Sequence, residues 1–403
     1  MVTTVTHYTD ARNRANAGEG YDGVVRVSAG GFFGTGSLLF DGRAILTAAH
    51  LFPDASVKTA DVHFETSSGE QTLIANRITL LSTYDDEQGN DDLAIVWLSS
   101  SAPLAANRYN LYRGSDEIGK TMTMVGYGTP GSGSTGVIDS YTGPYMRLKA
   151  SNQFDTDATT VKSWVGSGMG WTPSPGSQLV ADFDNGASDA DALGQLTYRT
   201  GTGLGADEGM SSTGDSGGPA FINGQIAGVT SYGASVFNGS TDPDIDTKTN
   251  SSFGELGFWQ RVSHYQQWID QTVRAQHVNA PKTAAEVEKS VSEGNGGTTH
   301  VYFLLQFTGV RSDPKQLLSV DYATRDGTAK AGEDYISASG KLILYPNETQ
   351  AVIPVEIIGD ALSEPNETLY MDVTNPVGGS FGEGVVRLTA MRTILNDDGN
   401  LWA

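Results

Sequence analysis

The hexapeptide Gly-Asp-Ser-Gly-Gly-Pro at positions 214–219 is the stretch of this chain with the most evident chemistry. It places three glycines around Ser216, and glycine is kept where the main chain must take unusual dihedral angles or approach another group closely. We expect a strained turn that exposes the Ser216 hydroxyl and aims the amides of Gly214 and Ser216 at one point. A nucleophile and two donors for an oxyanion are what acyl transfer requires. A surface turn rich in glycine is the alternative interpretation.

Two further segments offer a base and an acid. Thr-Ala-Ala-His ends at His50, directly after an apolar run, which predicts a histidine at a strand exit. Asp91 and Asp92 precede the apolar run 93–98, and we expect Asp92 to be drawn inward, where a carboxylate needs a partner, while Asp91 stays more solvated. Taken alone, these could be a structural histidine and a solvated turn. Together with Ser216 they supply base, orienting acid and nucleophile in chain order.

These three motifs resemble the signature motifs of trypsin-like serine endopeptidases of the chymotrypsin fold, in that family's chain order. Further matches extend the resemblance from about residue 24 to 273. The resemblance implies an all-β fold of two six-stranded β-barrels with the catalytic cleft between them, closed by a C-terminal helix at 262–269. It also implies peptide hydrolysis through an acyl-enzyme, with His50 as base, Asp92 orienting it, and an oxyanion hole at Gly214 and Ser216.

The same resemblance implies a set of substrate-binding positions. Met210, six residues before the serine, would form the base of the specificity pocket, and a methionine there favours an apolar side chain at the cleaved position. Asp207 and Glu208 lie close by, and either could instead enter the pocket and favour Arg or Lys. The remaining implied substrate contacts are Ser231, Tyr232, Gly233 and Gly257.

Two positions with acidic residues stay open. Many relatives pair the acid before the serine, here Asp215, with a new Ile or Val amino terminus, but no Arg or Lys followed by that motif occurs near the start of this chain. Asp215 therefore needs another partner, or the mature terminus differs. The segment 182–186 predicts a turn, with calcium binding as the alternative.

Composition limits the remaining possibilities. The chain has 403 residues, 50 glycines and no cysteine, which favours short strands and many turns and excludes disulfides and thiolate chemistry. Its formal charge of −22 argues against nucleic-acid partners and allows attraction of divalent cations. No run of about 20 apolar residues predicts a membrane span. The start lacks a signal-peptide pattern, so the protein stays inside the cell or a leader was removed.

A second β domain follows a polar, proline-containing stretch. Its motifs between 320 and 398 resemble those of Calx-beta domains, the calcium-binding modules also found in sodium–calcium exchangers and many bacterial surface proteins. The resemblance implies an immunoglobulin-like β-sandwich with calcium held by acidic loops, although Gly359 stands where some relatives have another acid. Acids that merely cap strands at a solvated edge are the alternative. The implied calcium ligands are Glu293, Asp334, Asp360, Glu364, Glu367, Asp397 and Asp398.

The sequence thus predicts a protease domain at 1–275, a linker at 276–286, a Calx-beta domain at 287–398 and a tail at 399–403. The predicted activity is that of a secreted bacterial serine endopeptidase that acts on proteins or peptides, with calcium as a structural ion and no cofactor for catalysis. The alternative function is a calcium-dependent adhesion or binding protein with a vestigial protease domain. Oligomeric state stays open.

Overall fold

The computed structural model describes residues 2–54 and 56–399. Contacts divide the chain into one unit of residues 1–39 and 43–269 and a second unit of residues 40–42 and 270–403. The predicted linker at 276–286 stays a prediction, and residues 400–403 of the predicted tail lie outside the described residues. None of the described helices is both long and apolar enough to cross a bilayer.

The first unit begins with a short strand β1 and a closed six-stranded barrel. The barrel order is β2-β3-β4-β7-β6-β5, each strand antiparallel to its neighbours. Apolar side chains such as Val25, Leu38 and Phe64 fill it because they alternate with polar residues along the strands. The strands are β1 (Val2–Thr4), β2 (Val24–Ala29), β3 (Phe32–Leu38), β4 (Ala44–Thr47), β5 (Ala60–Thr66), β6 (Gly69–Leu80) and β7 (Ala94–Leu98).

The rest of this unit is a larger open sheet with three helices. Its elements are β8 (Thr121–Gly126), β9 (Gly131–Ser132), β10 (Gly136–Val137), β11 (Leu148–Gln153), β12 (Thr156–Asp157), α1 (Ala158–Val165), β13 (Gln178–Asp182), α2 (Ala192–Thr197), β14 (Gly209–Ser211), β15 (Pro219–Ile222), β16 (Gln225–Ala234), β17 (Leu256–Arg261) and α3 (Val262–Gln276). Seven strands pair in the order β11-β8-β15-β16-β17-β13-β12, and a separate sheet has the order β10-β9-β1-β14. The helix α3 begins where the sequence predicts the closing helix.

The second predicted barrel differs from expectation in one respect, because its sheet does not close by a backbone ladder. In the described residues β11 and β13 form no strand pair. A side chain of β11 connects the two strands instead. The side-chain amide of Asn152 donates to Asp182 O in β13 at 2.7 Å and to Gly209 O at 3.0 Å. One buried side chain therefore replaces main-chain bonds at this seam, which leaves the second half as an open, half-barrel sheet.

The second unit contains a β-sandwich. A five-stranded sheet of order β18-β24-β23-β20-β21 and a two-stranded sheet β19-β22 enclose a core that includes Val320, Ile353 and Leu369. This agrees with the predicted immunoglobulin-like architecture. The strands are β18 (Ser290–Ser292), β19 (Thr298–Gln306), β20 (Leu318–Asp326), β21 (Ser339–Leu344), β22 (Gln350–Ile358), β23 (Glu367–Val377) and β24 (Arg387–Leu395).

Candidate active site

The hexapeptide turn precedes β15 and is fixed by backbone bonds on both sides. The Thr35 amide donates to Ser216 O at 2.8 Å, and the Gly217 amide donates to Thr230 O at 2.8 Å. Gly214 and Gly217 have φ angles of +95° and +81°, which only glycine adopts readily. The predicted strained turn is therefore present, and it is anchored between β3 of the barrel and β16 of the open sheet.

His50 lies in a short 3₁₀ turn after β4 and is bound to Asp92 through two groups. Its ring Nδ1 lies 2.7 Å from Asp92 Oδ2, and its backbone amide donates to Asp92 Oδ1 at 2.9 Å. Ser231 Oγ also donates to Asp92 Oδ2, at 2.5 Å. Asp92 is 2% exposed, whereas Asp91 is partly exposed and accepts a bond from Tyr265. The inward turn of Asp92 follows from these three donors.

The serine turn lies against the histidine segment. Gly217, next to Ser216, packs so closely that a Cβ there would lie 2.7 Å from Ala48 N, two residues before His50. Within the described residues no hydrogen bond joins His50 Nε2 to Ser216 Oγ. Such bonds are often long or poorly aligned before a substrate binds. The structure thus joins His50 directly to Asp92 and places the backbone beside Ser216 against the same segment.

The electrostatic surroundings favour the protonated form of His50. Burial alone lowers its pKa, but the hydrogen bond and charge of Asp92, together with the charge of Asp86, outweigh burial and raise the pKa above its ordinary value. Because Nδ1 faces Asp92, the other ring nitrogen, Nε2, is left for a substrate or nucleophile.

The two amides predicted for the oxyanion hole have no protein acceptor in the described part of the chain. The neighbouring amides of Asp215, Gly217 and Gly218 do have one, at Ser212 O, Thr230 O and Asp215 O. Thr35 Oγ1 donates to the Gly214 carbonyl at 3.0 Å, which fixes the peptide unit that joins Gly214 to Asp215. Buried or partly buried amides that lack an acceptor are suited to receive an anionic oxygen.

Asp215 is buried beneath this turn and accepts bonds from the protein main chain. Its Oδ1 accepts from Gly128 N at 2.9 Å, and its Oδ2 accepts from Ser212 N at 2.8 Å. Burial raises the pKa of Asp215 above its ordinary value. Two main-chain amides are therefore among the partners of Asp215, whose partner the sequence left open.

The predicted substrate strand is the end of β16. From Tyr232 to Ala234 it pairs with β17 on one side, Ser231 lies at a register shift, and no described strand pairs with the other edge. Gly233 is exposed and a side chain there would meet nothing closer than 3.7 Å, so another backbone can approach. Tyr232 stacks on Phe258 and receives a bond from Trp171 Nε1 at 2.8 Å.

Met210 lies on β14 and is buried opposite Gly257. A Cβ on Gly257 would lie 2.5 Å from Met210 Sδ, so the two residues face each other as the resemblance implies. Asp207 is exposed and pairs with Arg12 at 3.2 Å. Glu208 is buried and accepts from Asp184 N at 2.7 Å and from Leu204 N. Both acids are therefore engaged with groups other than Met210.

A cleft of about 510 Å³ adjoins His50 and Asp92. Sequence reasoning missed most of its walls, because they come from loops without a recognisable pattern. The aromatic side chains Phe32, Tyr84 and Trp171 line it together with Asp86 and Glu87. The acidic run at 85–87 directly before the Asp92 motif was the one available signal.

Six of the seven predicted calcium ligands form two clusters in the sandwich. Glu293, Asp397 and Asp398 offer oxygens within 4.8 Å of one another, and so do Asp334, Glu364 and Glu367. Asp360 acts electrostatically on both Glu293 and Glu364, so it lies near both clusters. Burial and then the neighbouring Asp334 raise the pKa of Glu367 to about 7.

The chemistry of these clusters fits a hard cation. Glu293 Oε1 and Asp398 Oδ2 are buried, and neither has a hydrogen-bond partner in the described part of the chain. Oxygen-only ligand sets of this kind are what Ca²⁺ prefers. Steric crowding explains why a glycine, and not another acid, stands at position 359. A Cβ there would lie 2.4 Å from Gly294 O and 2.7 Å from Glu293 O.

Two separate segments of the chain match known protein families. Residues 11–169 match the Trypsin family, a range that contains His50 and Asp92 and ends before Ser216, and residues 286–398 match the Calx-beta domain. A solved structure of neuropsin, a serine protease expressed in the limbic system of mouse brain, is similar over 65% of this chain and 98% of that chain, with 19% identity and a TM-score of 0.46.

Curated relatives include sodium/calcium exchangers. Sodium/calcium exchanger 2 of Homo sapiens is 30% identical over 153 residues, and sodium/calcium exchanger Calx of Drosophila melanogaster is 36% identical over 91 residues. The matches cover 31% and 22% of this chain, and 17% and 9% of those exchangers. By its family matches, the chain joins a segment of the trypsin family to a Calx-beta domain.

Proposed function

We propose that this protein is a serine endopeptidase that hydrolyses peptide bonds through His50, Asp92 and Ser216. The observation that carries the proposal is the fixed His50–Asp92 pair, at 2.7 Å, beside an anchored turn that holds Ser216. A buried carboxylate bound to one imidazole nitrogen leaves the other nitrogen able to accept a hydroxyl proton.

In the proposed reaction, His50 Nε2 takes the Ser216 proton as the hydroxyl oxygen attacks the substrate carbonyl. Asp92 holds the tautomer and stabilises the imidazolium, and the Gly214 and Ser216 amides bind the oxyanion. His50 then returns the proton to the leaving amine, and an acyl-enzyme remains. Water, activated by the same imidazole, releases the acid and restores Ser216.

The substrate backbone is proposed to pair with the free edge of β16 at 231–233 as an added strand. Its side chain at the cleaved position would extend toward Met210 and Gly257. Since Asp207 and Glu208 are bound to other groups, this supports an apolar preference. Cleavage of a peptide library tests it, and a dominant preference for Arg or Lys would contradict it.

Calcium is proposed to bind the Calx-beta acids as a structural ion. Glu293, Asp397 and Asp398 would hold one ion and Asp334, Glu364 and Glu367 another, with Asp360 near both. Bound calcium would neutralise acids that otherwise repel one another across the loops. Calorimetric titration of the full chain with CaCl₂ tests this, and no heat at millimolar calcium would remove it.

An extracellular location is part of the same proposal, because calcium modules outside cells work at about 10⁻⁴ to 10⁻³ M and a chain without cysteine needs no disulfide chemistry there. Detection in the culture medium or on the cell surface of the source organism would support it, and confinement to the cell interior would contradict it.

The decisive experiment compares wild type with Ser216→Ala on an unstructured protein substrate. We expect activity to fall by roughly three orders of magnitude or more, because the nucleophile is lost while binding groups remain. Ser68→Ala, an exposed serine of the first barrel, is the matched control and should keep full activity. Hydrolysis that survives Ser216→Ala in a folded protein would defeat the proposal.

A further inference from the structure

A further acidic cluster lies in the first unit of the chain, where β13 ends and α2 begins. One oxygen of each of Asp182, Asp184 and Asp191 lies within 4.8 Å of the other two. These side chains are only 3%, 5% and 4% exposed. The charges of Glu208 and Asp155 also act on Asp184, so these two acids lie near the cluster. Five acids are therefore gathered in a largely buried place.

Main-chain donors satisfy some of these carboxylates and not others. Asp182 Oδ2 accepts from Leu193 N at 2.7 Å, and Asp191 Oδ1 accepts from Gly194 N at 2.7 Å. Asp184 differs, because its Oδ1 is fully buried and has no hydrogen-bond partner among the residues that the structure describes. A buried carboxylate oxygen without a donor loses the solvation of water and gains nothing in return.

No basic side chain in the described residues offsets the charge of this cluster. The groups acting on Asp155, Asp182, Asp184 and Glu208 include no Lys, Arg or His. Such a group must either take up protons or bind a cation.

We propose that Asp182, Asp184 and Asp191 form a Ca²⁺ site in the first unit of the chain, separate from the Calx-beta acids. An all-oxygen ligand set on an irregular turn suits Ca²⁺, which accepts flexible geometry, better than Mg²⁺, which demands a tight octahedron. A calcium ion at this site would take the place of the missing hydrogen-bond donor at Asp184 Oδ1.

The site also explains how the loop 199–208 is held. Asp191 Oδ2 accepts from Gly201 N at 3.3 Å, and Glu208 accepts from Leu204 N and from Asp184 N. Glu208 is a positioning residue here, because its bonds fix the main chain of Asp184 rather than fill the cluster. Calcium would therefore order a loop that leads directly into β14 and Met210.

The test uses the full chain with the Calx-beta acids weakened by Glu293→Gln and Glu367→Gln, one from each cluster. Calorimetric titration of this background chain with CaCl₂ should still show binding. Adding Asp184→Asn should lower that remaining affinity by about tenfold or more. Asp189→Asn, an exposed acid of the same loop, is the matched control and should leave it unchanged.

A second readout separates calcium from shared protons. In EDTA the Asp184→Asn chain should melt above the background chain, because Asn is neutral without the proton that Asp184 must take up on folding. CaCl₂ should no longer raise its melting temperature. CaCl₂ should also protect the loop 199–208 from limited proteolysis in the background chain only. Absent binding in the background chain, or equal binding after Asp184→Asn, would overturn the site. If that variant fails to fold, Asp182→Asn replaces it under the same criteria.

Discussion

Buried carboxylates occur in two contrasting settings in this protein. Around the candidate active site, Asp92 receives bonds from His50 N, His50 Nδ1 and Ser231 Oγ. In the acidic clusters, Asp184 Oδ1, Glu293 Oε1 and Asp398 Oδ2 are buried and receive none. The first carboxylate is fully supplied with protein donors, whereas the others have bonding capacity left over.

The difference indicates what each acid can do. A carboxylate held by three donors keeps its position, so it can orient an imidazole through a reaction. A carboxylate with an unmatched oxygen is unstable as an anion unless a proton or a cation joins it. The predictions below test this contrast, from the largest expected effect to the smallest.

Replacing Asp92 with Asn should lower kcat by about 10⁴-fold, because an amide at this position can donate to Nδ1 and select the wrong tautomer. The measurement is steady-state hydrolysis at saturating substrate. Asp91→Asn changes the neighbouring, more solvated acid and should cost far less. Equal losses of kcat in the two variants would contradict the contrast between the buried carboxylate of Asp92 and the more solvated carboxylate of Asp91.

Replacing Glu293 with Gln should weaken calcium binding to the Calx-beta domain by about 10- to 100-fold, because a charged ligand becomes neutral. Calorimetry on the full chain measures it, and peptide hydrolysis at saturating calcium should stay unchanged. Glu383→Gln, an exposed acid of the same domain, is the control. Unaltered calcium affinity in Glu293→Gln would contradict the assignment.

Replacing Ser231 with Ala should lower kcat by about tenfold, because Asp92 loses one of three donors and a bond to a charged group is worth about 1.5 kcal/mol. His50 should keep its place through the two remaining bonds. A lowered kcat together with an unchanged melting temperature would show that the loss comes from the position of Asp92 and not from unfolding. A loss as large as that of Asp92→Asn would show that the carboxylate is not held as we describe.

Replacing Asp86 with Asn should move the acidic limb of the kcat/KM pH profile to lower pH. Asp86 contributes to the raised pKa of His50, and the neutral imidazole is the active form, so activity is lost as pH falls through that pKa. High salt should shrink the shift. The control is Asp61→Asn, an exposed acid outside the charges acting on His50. A shift to higher pH would contradict the sign.

The sequence predicts what depends on residue type and local pattern. Short apolar runs indicated the strands, the glycines around Ser216 indicated the strained turn, and the polar–apolar boundary at Asp92 indicated its inward direction. The family resemblance assigned distant segments, such as 231–233 and Gly257, to one substrate site.

Other features depend on contacts that no local pattern encodes. Asn152 bonds to residues 30 and 57 positions further along the chain, and the main-chain donor to Asp182 depends on where α2 begins. Helices α1 and α2 were missed inside a loop-rich segment, although Asp157 and Asp191 cap them by accepting from Thr160 N and Gly194 N. Those caps were the available signals.

The most direct test of the proposed catalytic centre is covalent labelling by a serine-directed fluorophosphonate, followed by peptide mapping. The account predicts one adduct on Ser216 in the wild-type chain, none in Ser216→Ala, and much slower labelling in His50→Ala, whose serine lacks its base. A folded wild-type chain that stays unlabelled, or an adduct on a different serine, would contradict it.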